Sequence, residues 1–156
     1  DVNGNFMSGD LPTKEMPLHM AFYETRSSAG AVVHLHSCHS VALSLMPDVD
    51  ENDFLPHLTP YSIMKLGRVK LLPFYLPGDP EMGNAVRGLS GKRSAVMLAN
   101  HGPVVAAKDI EAACNAIEEL EDSARLAMIT RGMNAKHLTS SQVKSIVKKF
   151  DVEWKS

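Results

Sequence analysis

Ser94-Ala95-Val96-Met97-Leu98-Ala99-Asn100-His101-Gly102-Pro103-Val104-Val105-Ala106-Ala107 decides the fold. Two apolar runs, Ser94 to Ala99 and Val104 to Ala107, predict consecutive buried strands, with His101-Gly102-Pro103 as the break between them. Asp109 follows and predicts the N-cap of a long helix that reaches about Arg131, before Gly132. Along it Ile110, Ala113, Ile117, Leu120, Ala124 and Ala127 keep helical spacing.

Upstream, Gly30 precedes Ala31-Val32-Val33-His34-Leu35-His36, a short β-branched strand that ends in imidazoles. Ser37 can cap a helix through about Leu45. Met16 to Tyr23 reads as a helix with Pro17 in its first turn and Leu18, Phe22 and Tyr23 on one buried face. Thr59-Pro60-Tyr61 opens a short helix closed by Gly67, and Val69 to Leu72 is a strand. Glu81 to Leu89 reads as a helix, and Ser140 or Ser141 caps a last one through Phe150. Helices alternating with strands predict one layered α/β domain. At the other end, the Asn3-Gly4-Asn5 turn signal predicts an early hairpin whose first strand lies upstream. The domain, residues 1–156, is therefore expected to lack its N-terminal segment.

The chain has 156 residues, 44% of them hydrophobic, and a formal net charge of −2. That suits one domain with one core. No basic surplus points to nucleic acid, and no apolar stretch of about 18 residues points to a membrane span. The two cysteines, Cys38 and Cys114, form no disulfide framework and favour a reducing compartment.

The histidines carry the chemistry. Residues i and i+2 of a strand point the same way, so His34 and His36 can reach one ion without bending the backbone. His101 stands where an apolar strand stops, a position that tends to face a cleft. Gly102 allows another group to approach the backbone closely. Three histidines with an open position fit a catalytic zinc better than a structural one, although such histidines can also be buried polar residues satisfied by hydrogen bonds. Glu15 opens the first helix; it is either an acid/base beside the metal or a charge that complements the helix N-terminus. His39 is read as a helix-surface residue that could also stand behind His36. The acidic run Glu118, Glu119, Glu121 and Asp122 is read mostly as a solvated face.

Taken together, Leu11-Pro12-Thr13-Lys14-Glu15, His19 to Tyr23, Ala31 to His36 and Leu98 to Pro103 resemble the class II aldolase/adducin family, in order and spacing over nearly the whole chain. Within it, Leu-Pro-Thr-Lys-Glu, Val-His-Leu-His-Ser and Ala-Asn-His-Gly-Pro-Val-Val look most like the 3-oxo-tetronate 4-phosphate decarboxylases. The phosphosugar aldolases usually show Ser-Ser where Thr13-Lys14 stands.

The resemblance implies a three-layer α/β/α fold with a mixed, mostly antiparallel central sheet. It implies zinc on His34, His36 and His101, with Glu15 as acid/base, and a cyclic homotetramer with sites between subunits. Tyr61 falls where family aldolases carry a tyrosine that reaches a neighbouring site. The implied reaction, in the cytoplasm, turns a small phosphorylated sugar acid into dihydroxyacetone phosphate and CO2 through a metal-stabilised enediolate. A sugar-phosphate aldolase or epimerase is the alternative, and a non-enzymatic adducin-like module a third. Beside Glu15, Lys14 and Thr13 are expected to hold the anionic substrate; Lys14 could equally face solvent in a turn.

Overall fold

The computed structural model describes residues 1 and 3–154. Its order is α1 (Met16–Thr25), β1 (Ala31–His34), α2 (Cys38–Ser44), α3 (Pro60–Leu66), β2 (Lys70–Leu72), α4 (Glu81–Gly88), β3 (Ala95–Leu98), β4 (Gly102–Ala107), α5 (Ile110–Thr130) and α6 (Ser140–Lys149). The four strands form one sheet in the order β1-β4-β3-β2, with only the β2–β3 pair parallel. The sheet is mixed and mostly antiparallel, as the resemblance implies.

Strand alternation sends successive side chains to opposite faces, and the core divides accordingly. Val32, Leu72, Val96, Leu98, Val104 and Ala106 meet Leu18, Phe22, Met82 and Val86 of α1 and α4. Ala95, Met97 and Val105 meet Leu43, Leu66, Ile117, Leu120 and Ala124 on the other face. The result is three layers, α/β/α.

Among the described helices a local side chain caps α5 and α6, and two readings of the helices are corrected. Asp109 caps α5 as expected, accepting from Ala112 N–H at 2.7 Å. The cap of α6 is Thr139, not Ser140 or Ser141, in a reciprocal capping box with Gln142. On α1 the buried face is Leu18, Ala21 and Phe22, whereas Tyr23 is exposed. Position i+5 lies about 140° round the helix from Leu18, too far to share its face.

Two strand boundaries also move. Gly102-Pro103 lies inside β4, so the break is the three-residue turn Ala99–His101. Strand β1 ends at His34 rather than His36. Leu35 N–H still reaches Pro103 O at 3.2 Å, but proline has no N–H to return, and the ladder stops. The early turn does form, with Gly4 N–H bonded to Asp1 O, but no strand follows it among described residues before β1.

Candidate metal centre

Three segments converge at the ends of β1 and β3. Glu15 is the residue before α1, His34 closes β1, His36 lies between β1 and α2, and His101 ends the β3–β4 turn. The ring centroids of His34, His36 and His101 form a triangle 5.0 Å on each side. One ligand atom from each histidine and from Glu15 lies within 4.8 Å of the others. The structure brings together all four residues that the resemblance implies for the site.

Glycine makes the convergence possible. A Cβ on Gly102 would sit 2.0 Å from Leu35 O and 3.3 Å from His34 Cε1. Only a residue without that atom lets the β1 end and the β4 start close on each other. On the same turn Asn100 adopts a left-handed φ of 59°, a conformation that asparagine tolerates better than most residues.

The side chain of Glu15 makes no cap bond to α1, so it does not serve as the helix's N-terminal acceptor. It is buried, with Oε2 3.1 Å from His34 Nε2 and Oε1 3.2 Å from His101 Nε2. The His34 contact is short, yet His34 Nε2 has no hydrogen-bond partner. The two lone-pair-bearing atoms approach each other with no hydrogen between them. On its other side His34 Nδ1 lies 2.9 Å from Pro103 O. A carbonyl only accepts, so Nδ1 carries the proton and Nε2 presents a lone pair.

Burial holds the His34 imidazole below its ordinary pKa, against opposing pulls from the Pro103 carbonyl and Glu15. His101 is likewise lowered, chiefly by burial, with His36 and Lys14 acting in the same direction against Glu15. Neutral imidazoles beside a carboxylate, with a buried nitrogen left unpaired, are a donor set suited to a borderline-soft divalent cation. The geometry fits such an ion.

A cleft of about 350 Å³ opens over the cluster, lined by Thr13, Lys14, Glu15, His36, Phe74, Pro77, Asn100 and His101. Thr13 Oγ1 accepts from Glu15 N–H at 3.3 Å, which leaves its own hydrogen for another acceptor. The stem of Lys14 lies along Gly78, where a Cβ would meet three of its carbons at 3.5 Å. Lys14 is exposed and is among the residues that line the cleft. Tyr61 is 58% exposed at the start of α3 and is not among the residues lining this cleft. Phe74 and Pro77 were not singled out as site residues by the sequence and belong to a loop with no periodic signal, whereas Asn100 was quoted beside His101 without a role.

Among the other histidines, His39 binds Glu121 rather than standing free on a helix surface. His57 lies by Asp53 and Trp154, and Cys38 and Cys114 are unpaired. No helix among the described residues is long and apolar enough to cross a membrane.

The sequence profile of the class II aldolase and adducin N-terminal domain matches residues 1–128. The 3-oxo-tetronate 4-phosphate decarboxylase of Pectobacterium atrosepticum is 38% identical over 91% of this chain and 65% of its own. The crystal structure of YgbL from Escherichia coli superposes with a TM-score of 0.90 at 36% identity, over 93% of this chain and 70% of that one. An L-fuculose 1-phosphate aldolase gives 0.80 at 26% identity, over 97% of this chain and 70% of that one. The chain spans about two thirds of the length of the curated relatives it matches. It belongs to the class II aldolase and adducin family.

Proposed function

We propose that the chain is a metal-dependent carbon–carbon lyase that decarboxylates a 3-oxo-tetronate 4-phosphate to dihydroxyacetone phosphate and CO2. The single observation that carries this is the buried Glu15 carboxylate facing His34 Nε2 and His101 Nε2 at 3.1 and 3.2 Å, beside the cleft. Relatives at 38% to 44% identity over most of this chain are decarboxylases of that substrate. L-fuculose phosphate aldolases of Methanococcus maripaludis and Escherichia coli are less similar, at 29% to 31%.

His34, His36, His101 and, before substrate enters, Glu15 would hold the ion, which we propose is zinc. A divalent cation there supplies a fixed positive charge against which the electrons left by departing CO2 are accommodated. Glu15 then has the proton work. The carbon that loses CO2 must gain one proton, and a carboxyl group at the cleft floor is placed to deliver it. Burial keeps bulk water from competing for that role.

Lys14 and Thr13 supply the anion contacts. A substrate carboxylate entering a partly desolvated cleft needs a compensating charge, and Lys14 is the lysine among the residues that line it. Thr13 adds its free hydroxyl hydrogen. We further propose a homotetramer in the cytoplasm, with Tyr61 reaching a neighbouring subunit's cleft. Its exposure in the single chain, and that of Phe74 and Leu76 by the site, support a partner there.

Retention of the whole cluster argues against a non-enzymatic module, because a fold-only role has no need of three converging imidazoles. The experiment that tests the reading is product analysis with 3-oxo-tetronate 4-phosphates and ketose 1-phosphates. CO2 with dihydroxyacetone phosphate from the acid supports it. An aldehyde released from a ketose phosphate, with no turnover of the acid, makes the chain an aldolase.

A further inference from the structure

Helix α2 runs between the two ligand-bearing segments, and both its ends are tied by side chains that touch no ligand. Its N-cap, Ser37, makes no side-chain cap bond. The donors a cap would satisfy are taken instead by Glu121, from the middle of α5. Glu121 Oε1 accepts from His39 N–H at 2.8 Å and Oε2 from Ser40 N–H at 2.9 Å. The His39 ring nitrogen Nδ1 adds a third contact at 2.8 Å. A carboxylate 82 residues from His39 does what Asp109 and Thr139 do locally at α5 and α6.

The other end holds the second segment. Ser44 is buried, donates from Oγ to Val41 O at 2.7 Å and accepts Asn100 N–H at 3.1 Å. Asn100 is the left-handed residue of the β3–β4 turn and directly precedes His101. At the start of α2, His36 is the residue immediately before Ser37. One helix therefore connects the backbone that presents His36 to the backbone that presents His101.

We propose that Glu121 and Ser44 are positioning residues of the metal centre, which set the separation of His36 and His101 by anchoring the two ends of α2. The inference rests on the metal-site reading above. Glu121 is an unusual member of its helix. Burial raises its carboxyl pKa, but the N–H groups of His39 and Ser40 and the His39 ring together pull it below the ordinary value. The charged form is thus the one the fold holds. Glu118, on the same helix, is exposed and serves as the control.

The geometry explains why both anchors are needed. His36 follows a strand that has already ended, so no ladder bond fixes it. His101 sits in a three-residue turn whose own backbone bond, His101 N–H to Leu98 O at 3.1 Å, leaves the preceding peptide free to rotate unless Asn100 N–H is held. Loosening the Glu121 end frees the segment that carries His36, and loosening the Ser44 end frees the turn that carries His101. A metal site whose ligands must first be ordered binds more weakly by the cost of ordering them. Outer partners of ligating side chains are commonly worth about 10- to 100-fold in metal affinity.

The test uses the full chain, stripped of metal, with Zn2+ affinity measured by chelator competition and the visible spectrum recorded after Co2+ loading. Glu121→Gln keeps the size but cannot accept two N–H groups and a ring nitrogen in the same way. Ser44→Ala removes only the hydroxyl. Each is expected to weaken Zn2+ binding about tenfold and to shift the Co2+ ligand-field bands. Glu118→Gln, with the same change in charge, is expected to match the parent. Wild-type affinity and an unshifted Co2+ spectrum in folded Glu121→Gln and Ser44→Ala overturn the proposal. If Glu121→Gln does not fold, Ser44→Ala alone decides. A parent chain that binds neither Zn2+ nor Co2+ removes the metal-site reading and this inference with it, an outcome distinct from a parent that binds tightly and variants that bind equally.

Discussion

His34 Nε2 lies 3.1 Å from Glu15 Oε2, yet no hydrogen bond joins them. With the Nδ1 proton committed to the Pro103 carbonyl, the imidazole offers Glu15 a lone pair, and lone pair faces lone pair. Such an arrangement is unfavourable unless a positive charge occupies the space between, and this is why the pair reads as half of a cation cage.

Replacing Glu15 by Gln removes the titrating group with almost no change in volume. Turnover of the 3-oxo acid is expected to fall by about 10²- to 10⁴-fold, the usual contribution of a general acid–base group. Three histidines remain, so metal content should be retained. Steady-state kinetics with metal content verified in the same sample checks this; near-normal kcat would show that the proton comes from elsewhere.

Lys14→Ser installs the residue common in the aldolases. One charged hydrogen bond to the substrate anion is worth roughly 1.5–3 kcal/mol, so kcat/KM for the acid should drop by about ten- to a hundredfold. Because the stem only rests along Gly78, the fold should not change. Unaltered kcat/KM would remove Lys14 from substrate recognition.

Gly102→Ala tests the close approach of the two ligand segments. Its Cβ would meet Leu35 O at 2.0 Å, and that oxygen is backbone, so strand and turn must separate. Destabilisation of about 1–3 kcal/mol, the range for overpacking, should accompany weakened metal binding. Chemical denaturation and zinc titration of the same variant report the two effects separately.

The lowered imidazoles give the metal-free chain a pH dependence with a definite sign. His34 and His101 have folded pKa values below the ordinary one, near 6.5. The unfolded chain therefore binds protons first. The stability that these two groups contribute is complete above about pH 6.5 and is lost as pH falls toward their folded values. Melting of the chelated protein between pH 8 and pH 5 should show this loss, and His34→Asn should lessen it.

Much of this was legible in the sequence because the signals were local. The proximity of His34, His36 and His101 and the Gly102 close approach hold in three dimensions, although His36 lies just past β1 and His101 in the turn after β3 rather than on strands. The failures were of two kinds. At boundaries a single residue's chemistry decides: Pro103 ends the β1 ladder two residues early, and Thr139 with Gln142 outcompetes Ser140 as a cap. Glu121 shows the other kind. Within an acidic run it looks like its neighbours, and nothing nearby in sequence shows that the α2 amides of His39 and Ser40 will be waiting for it. Long-range satisfaction of helix ends leaves no local pattern, and neither does the placement of Phe74 and Pro77 at the rim of the cleft.

Glu15, His34, His36 and His101 are proposed to form a metal centre. Elemental analysis of the purified full chain, after zinc loading and removal of unbound ion, measures this most directly. One zinc per chain is expected, retained through gel filtration and lost from His34→Ala, His36→Ala and His101→Ala, because each removes one of the three proposed nitrogen ligands. A chain that carries no divalent ion, or that keeps its zinc when His34 is replaced, contradicts it.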